Sequence, residues 1–94
     1  MRKIVFHILV KYQYEAEDLL RMLKSGKSFD ELARKFSICS SAKNGGFLGE
    51  LLPKRFIPEF TEAASSLAVG ELSKPVRTSF GFHIIKVEKS EGKD

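Results

Sequence analysis

The sequence predicts an α+β fold in which helices pack around a small, mostly antiparallel sheet. Three observations lead there. Strand-like segments stand near both ends of the chain, at residues 4–10 and 82–88. Helical patterns fall between the strands rather than after them. Only one pair of strands is adjacent in sequence, residues 72–77 and 82–88, joined by the tight connection Thr78-Ser79-Phe80-Gly81. The order reads β-α-α-loop-β-α-β-β, a pattern that suits helices gathered around an antiparallel sheet.

Residues 4–10 are short, β-branched or aromatic, and bounded by polar residues, as a strand should be. Lys11-Tyr12-Gln13-Tyr14 leads out of it. Ala16, Leu19, Leu20 and Leu23 then fall at i, i+3, i+4 and i+7, giving an amphipathic helix of about three turns. Ser25-Gly26 ends it, with Gly26 suited to the left-handed cap position. Ser28 and Glu31 stand at capping-box spacing, and Phe29, Leu32, Ala33 and Phe36 repeat the helical pattern behind them. The serines and the Asn44-Gly45-Gly46 cluster of residues 37–46 argue for a loop. Phe47-Leu48-Gly49-Glu50 reads as a short strand that Pro53 prevents from continuing. Pro58 fits a first helical turn, and Phe60, Ala63, Ala64 and Leu67 follow it. Val69-Gly70-Glu71 is a turn. Residues 72–77, interrupted by Pro75, read as an edge strand. Residues 89–94 read as a frayed tail.

The chain has 94 residues, 43% hydrophobic and 30% charged. One domain, residues 1–94, is expected, with the composition of a soluble globular protein. No apolar run approaches the ~20 residues of a membrane span. The N-terminus enters a strand at once and lacks a signal peptide's apolar core. One cysteine, Cys39, excludes an internal disulfide and a cysteine cage for a metal. The cytoplasm fits best, although a domain cut from a longer secreted protein would read the same. The net charge of +4 is spread without a block of like charges. It reads as a solvated basic surface, and nucleic acid is not a favoured partner.

Chemistry-bearing side chains are few. His7 and His83 are the only histidines, and they occupy the same place in two look-alike segments, Phe6-His7-Ile8-Leu9-Val10 and Phe82-His83-Ile84-Ile85. If those strands are antiparallel neighbours, both imidazoles can share one face of the sheet. Each histidine alone reads as a hydrogen-bonded core residue, and Cys39 alone as a small buried hydrophobe. A Cys–His pair can be a nucleophile with its base, but no local signature of a thiol protease accompanies it. Two histidines and a cysteine could bind zinc. They lack helical spacing and an evident fourth ligand, so no metal and no cofactor is expected. Leu48, Phe56, Phe60, Phe80 and Phe82 are large apolar side chains close to loops. Phe56 and Phe60, at helical spacing, read as plain core or as the wall of a pocket for a small apolar group.

Five segments together resemble the parvulins, a family of peptidyl-prolyl cis/trans isomerases. They are His7-Ile8-Leu9-Val10; Phe29-Asp30-Glu31-Leu32-Ala33 with Phe36-Ser37; Ser40-Ser41-Ala42-Lys43 leading to Gly45-Gly46-Phe47-Leu48-Gly49; Pro58-Glu59-Phe60 with Gly70-Glu71-Leu72-Ser73; and Thr78 with Phe80-Gly81-Phe82-His83-Ile84-Ile85. They occur in the family's order from about Ile4 to Val87, and the chain closely resembles the small stand-alone prokaryotic members. The resemblance implies a four-stranded antiparallel sheet with about four helices, in the FKBP-like superfold. It implies that His7, His83, Thr78 and Cys39 form the polar part of the active site, and that Leu48, Phe56 and Phe60 form the proline pocket. Phe80 would favour an apolar residue near the substrate proline. The substrates implied are proline-containing polypeptides, turned over by a monomer without covalent chemistry; a non-catalytic peptide-binding chaperone module of the same fold is the alternative.

Two places depart from the family pattern. Phe56 stands where methionine is frequent, and Leu51-Leu52-Pro53-Lys54-Arg55 replaces a loop that commonly contains glycine. Phosphate-directed parvulins carry paired arginines after the first strand, where this chain has Lys11-Tyr12-Gln13-Tyr14-Glu15. A lone lysine is a poor clamp for a dianion, so no phospho-Ser/Thr requirement is expected.

Overall fold

The computed structural model describes residues 2–90. Four strands, β1 (Lys3–Val10), β2 (Phe47–Glu50), β3 (Val76–Thr78) and β4 (Gly81–Lys89), form one sheet in the order β2-β1-β4-β3. All three pairings are antiparallel. The first and last strands of the chain are therefore the two central ones, with Leu9 opposite His83 and His7 opposite Ile85. Three α-helices, α1 (Gln13–Lys24), α2 (Phe29–Phe36) and α3 (Pro58–Ser65), surround it. Where the family resemblance implies about four helices, the remaining one is a 3₁₀ turn, Ser40–Asn44, inside the segment expected to be loop. It ends at Gly45 in the left-handed conformation, which a longer helix could not pass without strain.

Strand alternation divides the molecule. Ile8, Val10 and Ile84 face α1 and α2 and pack with Ala16, Leu19, Phe29, Leu32 and Ala33. Val5, Ile85 and Val87 face α3 and pack with Phe60 and Ala64. The helix boundaries have local causes. Glu15 accepts a hydrogen bond from the Tyr12 backbone N–H at 3.0 Å, starting α1 ahead of its first apolar residue. The Ser28 hydroxyl accepts from the Glu31 N–H and starts α2. Phe36 closes the apolar pattern of α2 yet stays exposed, because it lies in the last turn, past the edge of the core.

Two edges differ from expectation. The strand expected over residues 72–77 is broken: Leu72 makes an isolated bridge to Lys86, and regular pairing resumes only at Val76. Pro75 cannot donate to a ladder. Ser73 fills the gap with two bonds to Ile85, its N–H donating to the Ile85 carbonyl and its hydroxyl accepting the Ile85 N–H, both at 2.9 Å. The tail also begins later than expected. Lys89 is the last residue of β4 and pairs with Lys3, and the Ser90 N–H donates to the Arg2 carbonyl at 3.0 Å. Residues 91–94 lie outside the described part of the chain. Among the described residues, no helix is long and apolar enough to cross a membrane.

Candidate active site

A cleft of about 310 Å³ opens on the α3 side of the sheet. Its floor is the pair of central strands. His7 and His83, both buried, lie diagonally across β1 and β4 with their Nδ1 atoms 2.8 Å apart and their rings stacked at 5.0 Å. The His83 Nε2 is 2.7 Å from the Thr78 hydroxyl, which also accepts the Phe80 N–H at 3.1 Å. The His7 Nε2 is buried and has no hydrogen-bond partner among the described residues.

The two bonds alone allow either direction, and the orphan atom favours one of them. One Nδ1 must donate and the other accept. If His83 donated, the unpartnered Nε2 of His7 would be a buried N–H, the rarer and costlier orphan. His7 Nδ1–H therefore donates to His83 Nδ1, and His83 Nε2–H donates to the Thr78 hydroxyl. The Thr78 O–H is then left to donate elsewhere. Both imidazoles are held neutral. Burial, and then the proximity of His83, lower the His7 pKa from 6.5 to about 4. Burial lowers that of His83 as well.

The β1 edge explains how the polar residues are held. Next to β2 the register slips between Val5 and Phe6, so Leu48 is the extra residue of a bulge. Beyond the bulge the loop between α2 and β2 takes the place of a strand. The His7 N–H donates to the Gly46 carbonyl at 2.9 Å, the Leu9 N–H to the Ser37 hydroxyl at 3.0 Å, and the Ile38 N–H to the Leu9 carbonyl at 2.8 Å. Gly46 has a φ of 86°, and a Cβ there would run into the His7 carbonyl, so only glycine lets this loop lie against β1. This stitching carries Cys39 to the cleft. Burial pushes the Cys39 thiol up, but hydrogen bonds from the side chains and backbones of Ser41 and Ser40 outweigh it and hold the thiol below its ordinary value.

The apolar wall comes from β2, the following loop and α3. Phe60 meets both imidazoles nearly at right angles, at 5.7 Å from His7 and 5.6 Å from His83. Phe56 lies 5.0 Å from Phe60, and Leu48 completes the wall. Phe80 stands at the rim in the two-residue turn between Thr78 and Gly81, 62% exposed. Apolar surface of this extent beside a polar floor suits a small apolar ring attached to a polar chain.

A family model described as Rotamase, PPIC-type PPIASE domain, matches residues 7–89. The chain belongs to this family of peptidyl-prolyl cis/trans isomerases. Among relatives of the isomerase domain, the "Foldase protein PrsA" of Caldanaerobacter subterraneus is 51% identical over 83 residues, covering 87% of this chain and 27% of that protein. A "Parvulin-like PPIase" of Rickettsia conorii is 48% identical over 87 residues, covering 88% and 31%. This chain thus spans less than a third of the length of these curated relatives. The solution structure of NmPin, the parvulin of Nitrosopumilus maritimus, superposes with a TM-score of 0.86 at 43% identity, covering 95% of this chain and 98% of that one. The four-stranded α+β fold is that of the small parvulins.

Of the site residues expected from the sequence of this isomerase domain, His7, Cys39, Leu48, Phe56, Phe60, Phe80 and His83 line the one cleft, and Thr78 is bonded to His83 beneath it. Leu9, Arg55 and Ile57 also line it and were not anticipated. The two-residue period of β1 could have found Leu9, which shares a face with His7. Ile57, as the residue before Pro58, was legible only as a helix boundary. Arg55 had no local signal. It belongs to the loop that lacks the family's glycine, and there Lys54 adopts φ 64°, the one left-handed non-glycine among the described residues. The backbone keeps a turn that glycine would form at lower cost.

Proposed function

We propose that this domain, residues 1–94, accelerates rotation about X-Pro bonds in flexible polypeptides without covalent chemistry. The observation that carries the reading is a single cleft in which Leu48, Phe56 and Phe60 wall a space directly over the His7–His83–Thr78 bonds. A planar peptide bond resists rotation by roughly 18–20 kcal/mol. Twisting it breaks resonance, leaving a more basic proline nitrogen and a carbonyl oxygen that has swung away. The aromatic wall grips the ring while the preceding carbonyl turns. The floor presents neutral, fixed dipoles, and the free Thr78 O–H is a donor that needs no rearrangement as the polar group moves. Lowering the barrier by about 4 kcal/mol would accelerate rotation roughly a thousandfold.

In this reading Cys39 tunes the polar field rather than attacking the carbonyl, since isomerisation breaks no bond that a nucleophile must open. Phosphate is not required. Arg55 is the one Lys or Arg along the cleft, and Lys11 lies away from it with its ammonium over the Tyr12 ring at 5.4 Å. A monomer suffices, because every residue of the site comes from one chain. We place the protein in the cytoplasm, as the cysteine-poor sequence suggests; fractionation of source cells tests that part. A protease-coupled isomerisation assay on Ala-X-Pro-Phe peptides tests the activity, and catalysed isomerisation of peptides with apolar X is the expected result. Binding of the same peptides without acceleration would replace the enzyme by a peptide-holding chaperone module.

A further inference from the structure

Arg55 is the charged side chain along the cleft, and the isomerase reading gives it no role. Of the residues that line this space it alone carries a fixed charge, and none is a carboxylate. Its guanidinium is parked rather than loose. One Nη2–H donates to the Leu48 carbonyl at 3.1 Å, and the guanidinium carbon lies 5.6 Å from the centre of the Phe56 ring. The Nη2 atom also rests against Gly49, where a Cβ would approach it to 3.1 Å. The turn that presents it closes through the Arg55 N–H to the Leu52 carbonyl at 3.2 Å. Among the described residues no carboxylate stands within ion-pair distance of it.

A guanidinium has five N–H donors in a rigid fork. Here one holds the group against two of the pocket's own walls, and the others are left without a carboxylate. A cation fixed in this way at the mouth of an apolar cleft meets whatever follows or precedes the gripped ring. We propose that Arg55 is a specificity-determining residue, selecting substrates that carry an aspartate or glutamate side chain next to the proline. The inference rests on the isomerase reading and deepens it. One fork suits one carboxylate, whereas a phosphate dianion calls for several converging cations. Because Arg55 is exposed, the selection is modest and salt-dependent: about threefold to fivefold in kcat/KM for a single exposed ion pair, fading as the ionic strength rises toward 0.5 M.

The test is a matched peptide set with Glu, Gln or Lys placed in turn before and after the proline, assayed with the wild-type chain, Arg55→Gln, Arg55→Lys and Arg55→Glu. The wild type should prefer Glu over Lys at one of the two positions. Arg55→Lys should retain part of that preference, Arg55→Gln should abolish it, and Arg55→Glu should reverse it. The Glu-to-Lys ratio reports selection independently of any general loss of activity or folding in a variant. An unchanged ratio in Arg55→Glu, or a wild-type ratio indifferent to salt, overturns the proposal while leaving the isomerase reading intact. A phosphoserine peptide exceeding its Glu counterpart by more than about tenfold also overturns it, in favour of a dianion site. If no peptide is isomerised by the wild type, the isomerase reading fails. The same Glu-to-Lys ratio measured by fluorescence binding then decides the role of Arg55.

Discussion

Two imidazole nitrogens 2.8 Å apart share one proton, and burial holds both rings neutral. Protonating His7 would put a hydrogen on its unpartnered Nε2 and a charge among buried groups, and protonating His83 would force a second hydrogen into the gap. The sign of the linkage follows. A pKa lowered from 6.5 to about 4 means that the unfolded chain takes up the proton first as pH falls. His7 therefore contributes its full stability above about pH 6.5 and loses it progressively on the way to pH 4, a change on the order of 3 kcal/mol. His83 acts in the same direction. Urea unfolding at pH 7.5, 5.5 and 4.5 should show this fall, and His7→Asn should flatten it. Activity should be level from pH 6.5 to 8; a bell centred near pH 6–7 would instead make the histidines proton carriers. Nitrogen NMR should find His7 protonated at Nδ1 and His83 at Nε2. Cys39→Ser should keep kcat/KM within about tenfold, whereas total loss in a folded variant would make the thiol a nucleophile. The pairing of the histidines could be foreseen because two similar segments carried them in similar places. The orphaned His7 Nε2 and the parked Arg55 could not, since each depends on atoms brought in from distant parts of the chain.

At the scale of elements, the helices were legible because their causes are local: apolar residues every three to four positions, a serine at Ser28, a proline at Pro58. The sheet edges were not. Residues 72–77 look like a continuous strand apart from Pro75, and only the fold reveals that Ser73 holds Ile85 with both its backbone and its hydroxyl. The same holds for Ser37, whose hydroxyl stands in for a strand carbonyl beside Leu9. Serine in a loop gives no sign of which backbone it will serve. Ser73→Ala removes the acceptor of the buried Ile85 N–H without altering the chain's own backbone. It should cost about 1–3 kcal/mol, the penalty for an unsatisfied buried donor. Hydrogen exchange at Ile85 should speed up with it. Wild-type stability together with unchanged exchange would show that Ser73 is a spectator.

The whole molecule separates two tasks across one sheet. Along β1, Val5, His7 and Leu9 alternate with Phe6, Ile8 and Val10, and along β4, His83, Ile85 and Val87 alternate with Phe82, Ile84 and Lys86. The first set faces α3 and the cleft; the second faces α1 and α2, where no cleft residue lies. Substitutions on the two sides should then differ in kind. Leu19 is 2% exposed on the α1 side, packed in the cluster with Ile8 and Ile84. Leu19→Ala should cost about 2–5 kcal/mol and lower Tm by about 8 °C or more, since about 1 kcal/mol moves a domain of this size by 4–8 °C. At 10 °C, where the folded fraction can be confirmed by NMR, its kcat/KM should stay within about twofold of wild type. Phe60 is 3% exposed on the opposite side and touches both histidines. Phe60→Ala should lose comparable stability and, under the same conditions, also lose kcat/KM by about a hundredfold, the equivalent of 2.7 kcal/mol in the transition state. Equal losses of activity in folded samples of both variants would mean that the α1–α2 layer tunes the cleft through the sheet. Near-normal turnover by Phe60→Ala would remove the ring-gripping wall from the mechanism.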